Sequence, residues 1–152
     1  MTNELSSEEV IETLGLEPLP AEGGMWTRTL YDGKSSAIYY LLRRDDFSAL
    51  HRLIGDEIYH HYSGDPVEML LLFPDGSYST PVLGPDLKSG HRPQLIVPQG
   101  VWQGSSTLGE WSLVGTTMTP PYVDEDFELG SRDFLKTGWP EVSSRIDELT
   151  RE

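Results

Sequence analysis

The feature that most limits how this chain can fold is the spacing of its turns. Between residues 25 and 119, short runs rich in β-branched and aromatic side chains alternate with turn formers. About nine such runs follow one another, from MWTRTLYD and SAIYYLLR through VEMLLLF to WSLVGTTM, with no helical period among them. The breaks fall at Asp32-Gly33, Gly64-Asp65-Pro66, Pro74-Asp75-Gly76, Gly84-Pro85-Asp86 and Leu108-Gly109, where glycine, proline and aspartate favour tight reversals. Many short strands joined this way predict an all-β antiparallel sandwich or barrel.

Helical signals are confined to the two ends. Ser6 is placed as an N-cap with Glu9 at the third helical position, Leu5 can staple onto Val10, and Gly15 can stop the helix. Residues 16–20, LEPLP, read as an extended connector. After Pro120-Pro121, residues 131–136 predict a short helix closed by Gly138. Pro140 can open another that sets Val142, Ile146 and Leu149 on one face. The expectation is one domain over residues 1–152: an N-terminal helix and connector (1–24), a β-barrel (25–119) and a helical C-terminal segment (120–152). The terminal helices should cover the barrel's outside or a partner subunit, with Asp147-Glu148 and Arg151-Glu152 as a solvated face.

Composition narrows the function. A chain of 152 residues with 37% hydrophobic content can bury a real core and is not a disordered segment. With no cysteine, it has neither disulfides nor thiolate metal sites. A net charge of -14 repels phosphate backbones and acidic membrane surfaces, so neither nucleic acid nor membrane is an expected partner. The opening residues, MTNELSSEEV, lack the basic start and apolar run of a secretion signal, and the default expectation is a soluble cytoplasmic protein.

Chemistry concentrates in two stretches, HRLIGDEIYHHYSG (51–64) and VPQGVWQGSST (97–107). Together they resemble the two motifs of the cupin superfamily. The first of these motifs supplies two histidines and a glutamate, and the second supplies a histidine after a Pro-x-Gly turn. His51 takes the first histidine position, but Leu53 stands at the second; Glu57 and Gly64 match the glutamate and glycine. Pro98 and Gly100 match the second motif, while Gln103 replaces its histidine and Thr107 its asparagine. The likeness to a small branch of single-domain cupin-like proteins is broader. It includes Glu22-Gly23-Gly24, AIYYLL (37–42), DEIYHHYSG (56–64), LGPDL (83–87), VPQGVWQ (97–103) and DFELGSR (126–132). The resemblance implies a double-stranded β-helix, a jelly-roll barrel, and a homodimer. It also implies an N-terminal segment that exchanges between subunits and brings Glu22 to the neighbour's pocket.

Three functional readings follow. Strand alternation puts Glu57, Tyr59 and His61 on the inner face and Ile58 and His60 on the outer. His51, Glu57 and His61 would then form a partial two-histidine, one-carboxylate set for a divalent metal, with no other cofactor indicated. In the second reading His51 stands where metal-free cupin-like epimerases place their base. A carboxylate (Glu57, Asp124, Asp126 or Glu128) would orient it, and a phenol (Tyr59 or Tyr39) would return a proton across the pocket. The third reading is a binding module for a small polar molecule, sugar-like or amino-acid-like. Its aromatic faces would come from Trp26, Tyr39, Tyr59, Trp102 and Trp111, and its polar anchors from Arg28, Glu57 and Gln103. Trp102 sits at the barrel mouth beside the Pro98-Gln99-Gly100 turn, but if Gln103 points inward Trp102 points outward, toward a dimer contact. His91 reads as a surface loop histidine and His60 as an outer-face residue.

Overall fold

The computed structural model describes residues 4–151. Its strands, in chain order, are β1 (Glu17–Pro18), β2 (Met25–Tyr31), β3 (Ser36–Arg43), β4 (Ser48–Arg52), β5 (Glu57–Gly64) and β6 (Val67–Leu72). They continue with β7 (Tyr78–Ser79), β8 (Val82–Leu83), β9 (Gln94–Val97), β10 (Trp102–Thr107), β11 (Trp111–Met118) and β12 (Glu128–Leu129). One sheet runs β1-β2-β3-β11-β5-β9 and the other β12-β4-β10-β6-β7, with β8 also on β6. All strand pairs are antiparallel. From β3 to β6, and again from β9 to β11, successive strands switch sheets. This weave makes the antiparallel barrel expected from the turn spacing, in the jelly-roll form that the cupin resemblance implies.

The two sheets face each other across an apolar interior. Tyr40 and Leu42 of β3, Tyr59 of β5, Met69 and Leu71 of β6 and Val114 of β11 meet there. The second sheet is buried on both faces, because the chain's C-terminal segment packs on its outside. That is why β6 reads VEMLLL, almost continuously apolar, rather than alternating.

Helix α1 (Ser7–Leu14) begins as its capping box predicts: the Ser6 side chain accepts from Glu9 N, and the Glu9 carboxylate accepts from Ser6 N. Gly15 ends it in the left-handed conformation at φ 69°. Its Val10, with Leu16, covers Leu41 on the outer face of the first sheet. The connector after it does more than span a gap, since Glu17 and Pro18 pair with Trp26 and Met25 as β1.

At the other end, α2 (Arg132–Gly138) and α3 (Ser143–Glu148) enclose a 3-10 turn at Pro140–Val142. Leu135, Trp139, Ile146 and Leu149 seat on Leu50, Leu70, Leu72 and Trp102. The backbone also docks: Leu50 N donates to Leu149 O at 2.9 Å. These helices therefore cover their own barrel. Asp147 pairs with Lys136 at 3.0 Å on the surface. Arg151 is exposed, as a solvated face requires, and its guanidinium also donates to the Ala21 and Glu22 carbonyls; Glu152 lies outside the described residues. No helix among the described residues is long and apolar enough to cross a membrane.

Leu149 and Ile146 are fully buried, so truncating either leaves a cavity under the second sheet. Leu149→Ala is expected to cost about 2–5 kcal/mol in urea unfolding. A loss below about 1 kcal/mol would show that the C-terminal segment is not part of the cooperative core.

Candidate functional site

The barrel interior opens into a cavity of about 410 Å³. It is walled by both sheets, by the loop carrying Glu22 and by the segment from Tyr122 to Phe127. Its floor is polar and its sides are apolar and aromatic.

His51, only 2% exposed, lies on β4 opposite Gln103 of β10. Its Nδ1 is 2.7 Å from the Ala49 carbonyl oxygen. A carbonyl can only accept, so the proton of the neutral ring sits on Nδ1 and Nε2 keeps its lone pair. Nε2 makes no hydrogen bond; Glu22 Oε1 lies 3.7 Å away, at ion-pair distance only. Phe127 stacks on the ring at a centroid distance of 5.1 Å, closing one face of the imidazole.

Glu57 enters from the facing sheet on β5. Gln103 links it to Tyr59: Gln103 Nε2 donates to Glu57 Oε1 at 3.0 Å, and Tyr59 Oη donates to Gln103 Oε1 at 2.6 Å. The position where the cupin motif has a histidine thus holds an amide that fixes two neighbours, lying behind the cavity wall rather than in it. Burial pushes the Glu57 carboxyl up, with Glu22 adding to the effect and the nearby His51 opposing it. Burial likewise holds the Tyr59 phenol well above its ordinary range, so its proton stays committed to Gln103.

Glu22 reaches the cavity on a tightly held loop. Ala21 has φ 68° and Gly23 φ 99°, both left-handed. Only glycine fits at Gly23, where a Cβ would overlap the Arg151 guanidinium and the Phe47 carbonyl. The Glu22 carbonyl accepts from Ala49 N at 2.8 Å and from Arg151 Nη2 at 2.9 Å. Tyr40 Oη donates to Gly23 O at 2.6 Å, and Gly24 N to Asp46 Oδ2 at 2.7 Å. The Glu22 carboxylate accepts from Ser48 Oγ at 2.9 Å. Glu22 therefore lines the pocket of its own chain.

The remaining expected site residues divide by strand parity and by depth. Tyr39 faces outward, edge-on to Tyr62 at 6.0 Å, and the inward position belongs to Tyr40. Trp102 also faces outward, buried beneath α2 against Phe134 with Arg52 over its ring at 4.5 Å. Glu128 is exposed and pairs with Arg52 at 2.9 Å. Trp26, Arg28 and Asp124 do line the cavity. His60 bonds Thr117 Oγ1 at 3.0 Å on the outer surface.

His61 corrects the metal reading. It shares the inner parity of Glu57 but sits four positions farther along β5, roughly 13 Å at the strand's rise of about 3.3 Å per residue. A bulge opposite Val114 interrupts the strand there, and His61 Nε2 donates to Asp65 O at 3.0 Å. His51, Glu57 and His61 do not converge. Among the described residues no three histidine, aspartate or glutamate side chains are placed to hold one metal ion. With Leu53 and Gln103 at two of the four motif positions, the donor set does not fit the cupin metal centre.

Fold and site together define a cupin-type barrel with an altered ligand set. The chain belongs to the family described as cupin superfamily (DUF985), whose model matches residues 8–130. It resembles a protein of Shewanella oneidensis of known structure (33% identity, TM-score 0.89, covering 97% of this chain and 99% of that one). A hypothetical protein from Leishmania major is equally similar in shape (25% identity, TM-score 0.90, covering 97% and 100%). An uncharacterised protein of Saccharomyces cerevisiae is 29% identical over 119 residues, 77% of this chain; the match spans 59% of the yeast protein's length. A dTDP sugar isomerase of Desulfovibrio desulfuricans shares the barrel alone (18% identity, TM-score 0.56, covering 78% and 82%).

Two measurements test this geometry. Unfolded, Glu57 titrates near 4.5, whereas the folded protein holds its proton to higher pH. Its contribution to stability is therefore present at low pH and is lost as pH rises through that window. Glu57→Gln should gain stability relative to the parent protein as pH is raised above 4.5; a pH-independent difference in urea unfolding would contradict the raised carboxyl. Arg151→Met should cost about 1–3 kcal/mol and speed amide exchange at Ala49 and Gly24. Unchanged protection at both amides would remove Arg151 as the lock on the Glu22 loop.

Proposed function

We propose that this protein binds a small polar molecule, of sugar or amino-acid size, inside its barrel. The observation that carries this reading is the enclosed cavity itself: about 410 Å³, with His51, Glu22 and Glu57 at its floor and aromatic sides. That size falls within the usual range for small-ligand pockets, and convergent polar groups in an apolar shell are what orient a ligand there.

Proton transfer is the second reading, favoured by the state of His51. Its tautomer is fixed by Ala49, its Nε2 lone pair is unspent, and Glu22 stands ready to stabilise the imidazolium. In an α-hydroxy carbonyl such a group takes the proton from the hydroxyl-bearing carbon and returns it to the former carbonyl carbon on the same face, while the hydroxyl proton passes to the former carbonyl oxygen, an isomerisation. Epimerisation needs a second proton donor on the opposite face. Tyr59, the phenol on that wall, has its hydrogen committed to Gln103. A dTDP sugar isomerase is built on the same barrel.

Thermal unfolding with a panel of monosaccharides, amino sugars and amino acids tests the binding reading. A ligand at 100 times its Kd should stabilise the protein by about 2.7 kcal/mol. Failure of the whole panel to shift the transition counts against it. Incubating any binder in D2O tests the isomerase reading. The parent protein should wash deuterium into the carbon beside the carbonyl and His51→Asn should not; equal incorporation by both would remove His51 as base.

A further inference from the structure

The hydrogen-bonding balance of the cavity says more about its ligand than its size does. The donors grouped around Glu22, His51 and Glu57 are already used. Tyr40 Oη is spent on Gly23 O, Tyr59 Oη on Gln103, Gln103 Nε2 on Glu57 and Ser48 Oγ on Glu22. His51 Nδ1–H is spent on Ala49 O. What remains unspent beside His51 accepts: Glu22 Oε1, the lone pairs of Glu57 beyond its Gln103 and Thr116 bonds, and His51 Nε2; Trp26, Ser36 and Tyr122 line the cavity as well. His51 is only 2% exposed, and its Nε2 has no hydrogen-bond partner among the described residues. A ligand held at this floor must bring its own donors.

Charge narrows the choice further. Two carboxylates flank one imidazole at the floor, and Asp124 adds a third at the mouth. Even a protonated His51 leaves the site negative. Arg28 is the one lysine or arginine lining the cavity, and its guanidinium lies over the Tyr31 ring at 4.3 Å, on the rim. A phosphate or carboxylate at the floor would meet two like charges, Glu22 and Glu57. A neutral polyol would satisfy the acceptors but leave the charge uncompensated. An ammonium group answers both, supplying three N–H donors and the missing positive charge among aromatic faces suited to a cation. Burial raises the proton affinity of Glu57, and an ammonium beside it would oppose that shift.

We propose that the ligand of this cavity is a small amine, of amino-sugar size, whose ammonium group is held by Glu22 and Glu57 beside His51. This rests on the binding reading above and names its ligand class.

The test uses the full chain in amine-free phosphate buffer with EDTA, read by thermal unfolding and titration calorimetry. The probes are glucosamine against glucose, galactosamine against galactose and ethanolamine against ethylene glycol. N-acetylglucosamine and glucuronate serve as the uncharged and anionic controls. The expected result is that at least one amine binds about tenfold or more tighter than its hydroxyl partner. Glu22→Gln, which keeps the Ser48 bond, should bring that ratio toward one. Should that variant not fold, Asp124→Asn at the exposed mouth should lower the ratio without touching the floor. Tighter binding of the hydroxyl, acetylated or anionic members overturns the amine class while leaving the pocket a binding site. Binding by no probe overturns both readings. An amine preference that survives Glu22→Gln unchanged overturns the assignment to this cavity.

Discussion

Three ionisable side chains share one cavity, and the need to satisfy each of them after removal from water organises the structure around them. A buried polar atom without a partner costs a few kcal/mol, so such groups come with dedicated neighbours. His51 has the Ala49 carbonyl, Glu57 has Gln103, and Glu22 has Ser48. These partners lie on β4 and β10 of one sheet, while Glu57 comes from β5 of the other. Both sheets must therefore be in register before the floor is satisfied.

The same requirement explains why the two ends of the chain meet. Glu22 stands on a loop whose backbone is left-handed at Ala21 and Gly23. Such a loop persists only if its surroundings hold it. The C-terminal helices supply part of that hold: once Leu149 is seated under the second sheet, Arg151 reaches the carbonyls of Ala21, Glu22 and Phe47. A tail that looks like simple covering is thereby coupled to the acidity of the cavity.

Strand parity accounts for most of what could and could not be read in advance. Glu57 and Tyr59 alternate inward as the pleat demands, and Gln103 points in while Trp102 points out. Tyr39 was misread for Tyr40 because α1 covers the outer face of β3. With both faces apolar, AIYYLL shows no alternation to choose between adjacent tyrosines. His61 failed for another reason: correct parity says nothing about height along the strand. Phe127, Ser48 and Arg151 carried no local signal, since each matters only through a neighbour distant in sequence.

Residue order alone determined the antiparallel run of short strands, the capped first helix and the altered cupin motifs. Turn chemistry, capping and two-residue alternation act over a few neighbouring positions and are written directly in the chain. Only the tertiary structure decided that His51 keeps a free Nε2, that Glu22 joins it from the N-terminal loop, and that Gln103 serves as a brace. Those outcomes depend on distances between segments up to 130 residues apart, as in the bond from Arg151 to Ala21. Packing fixes such distances, and no local pattern encodes them.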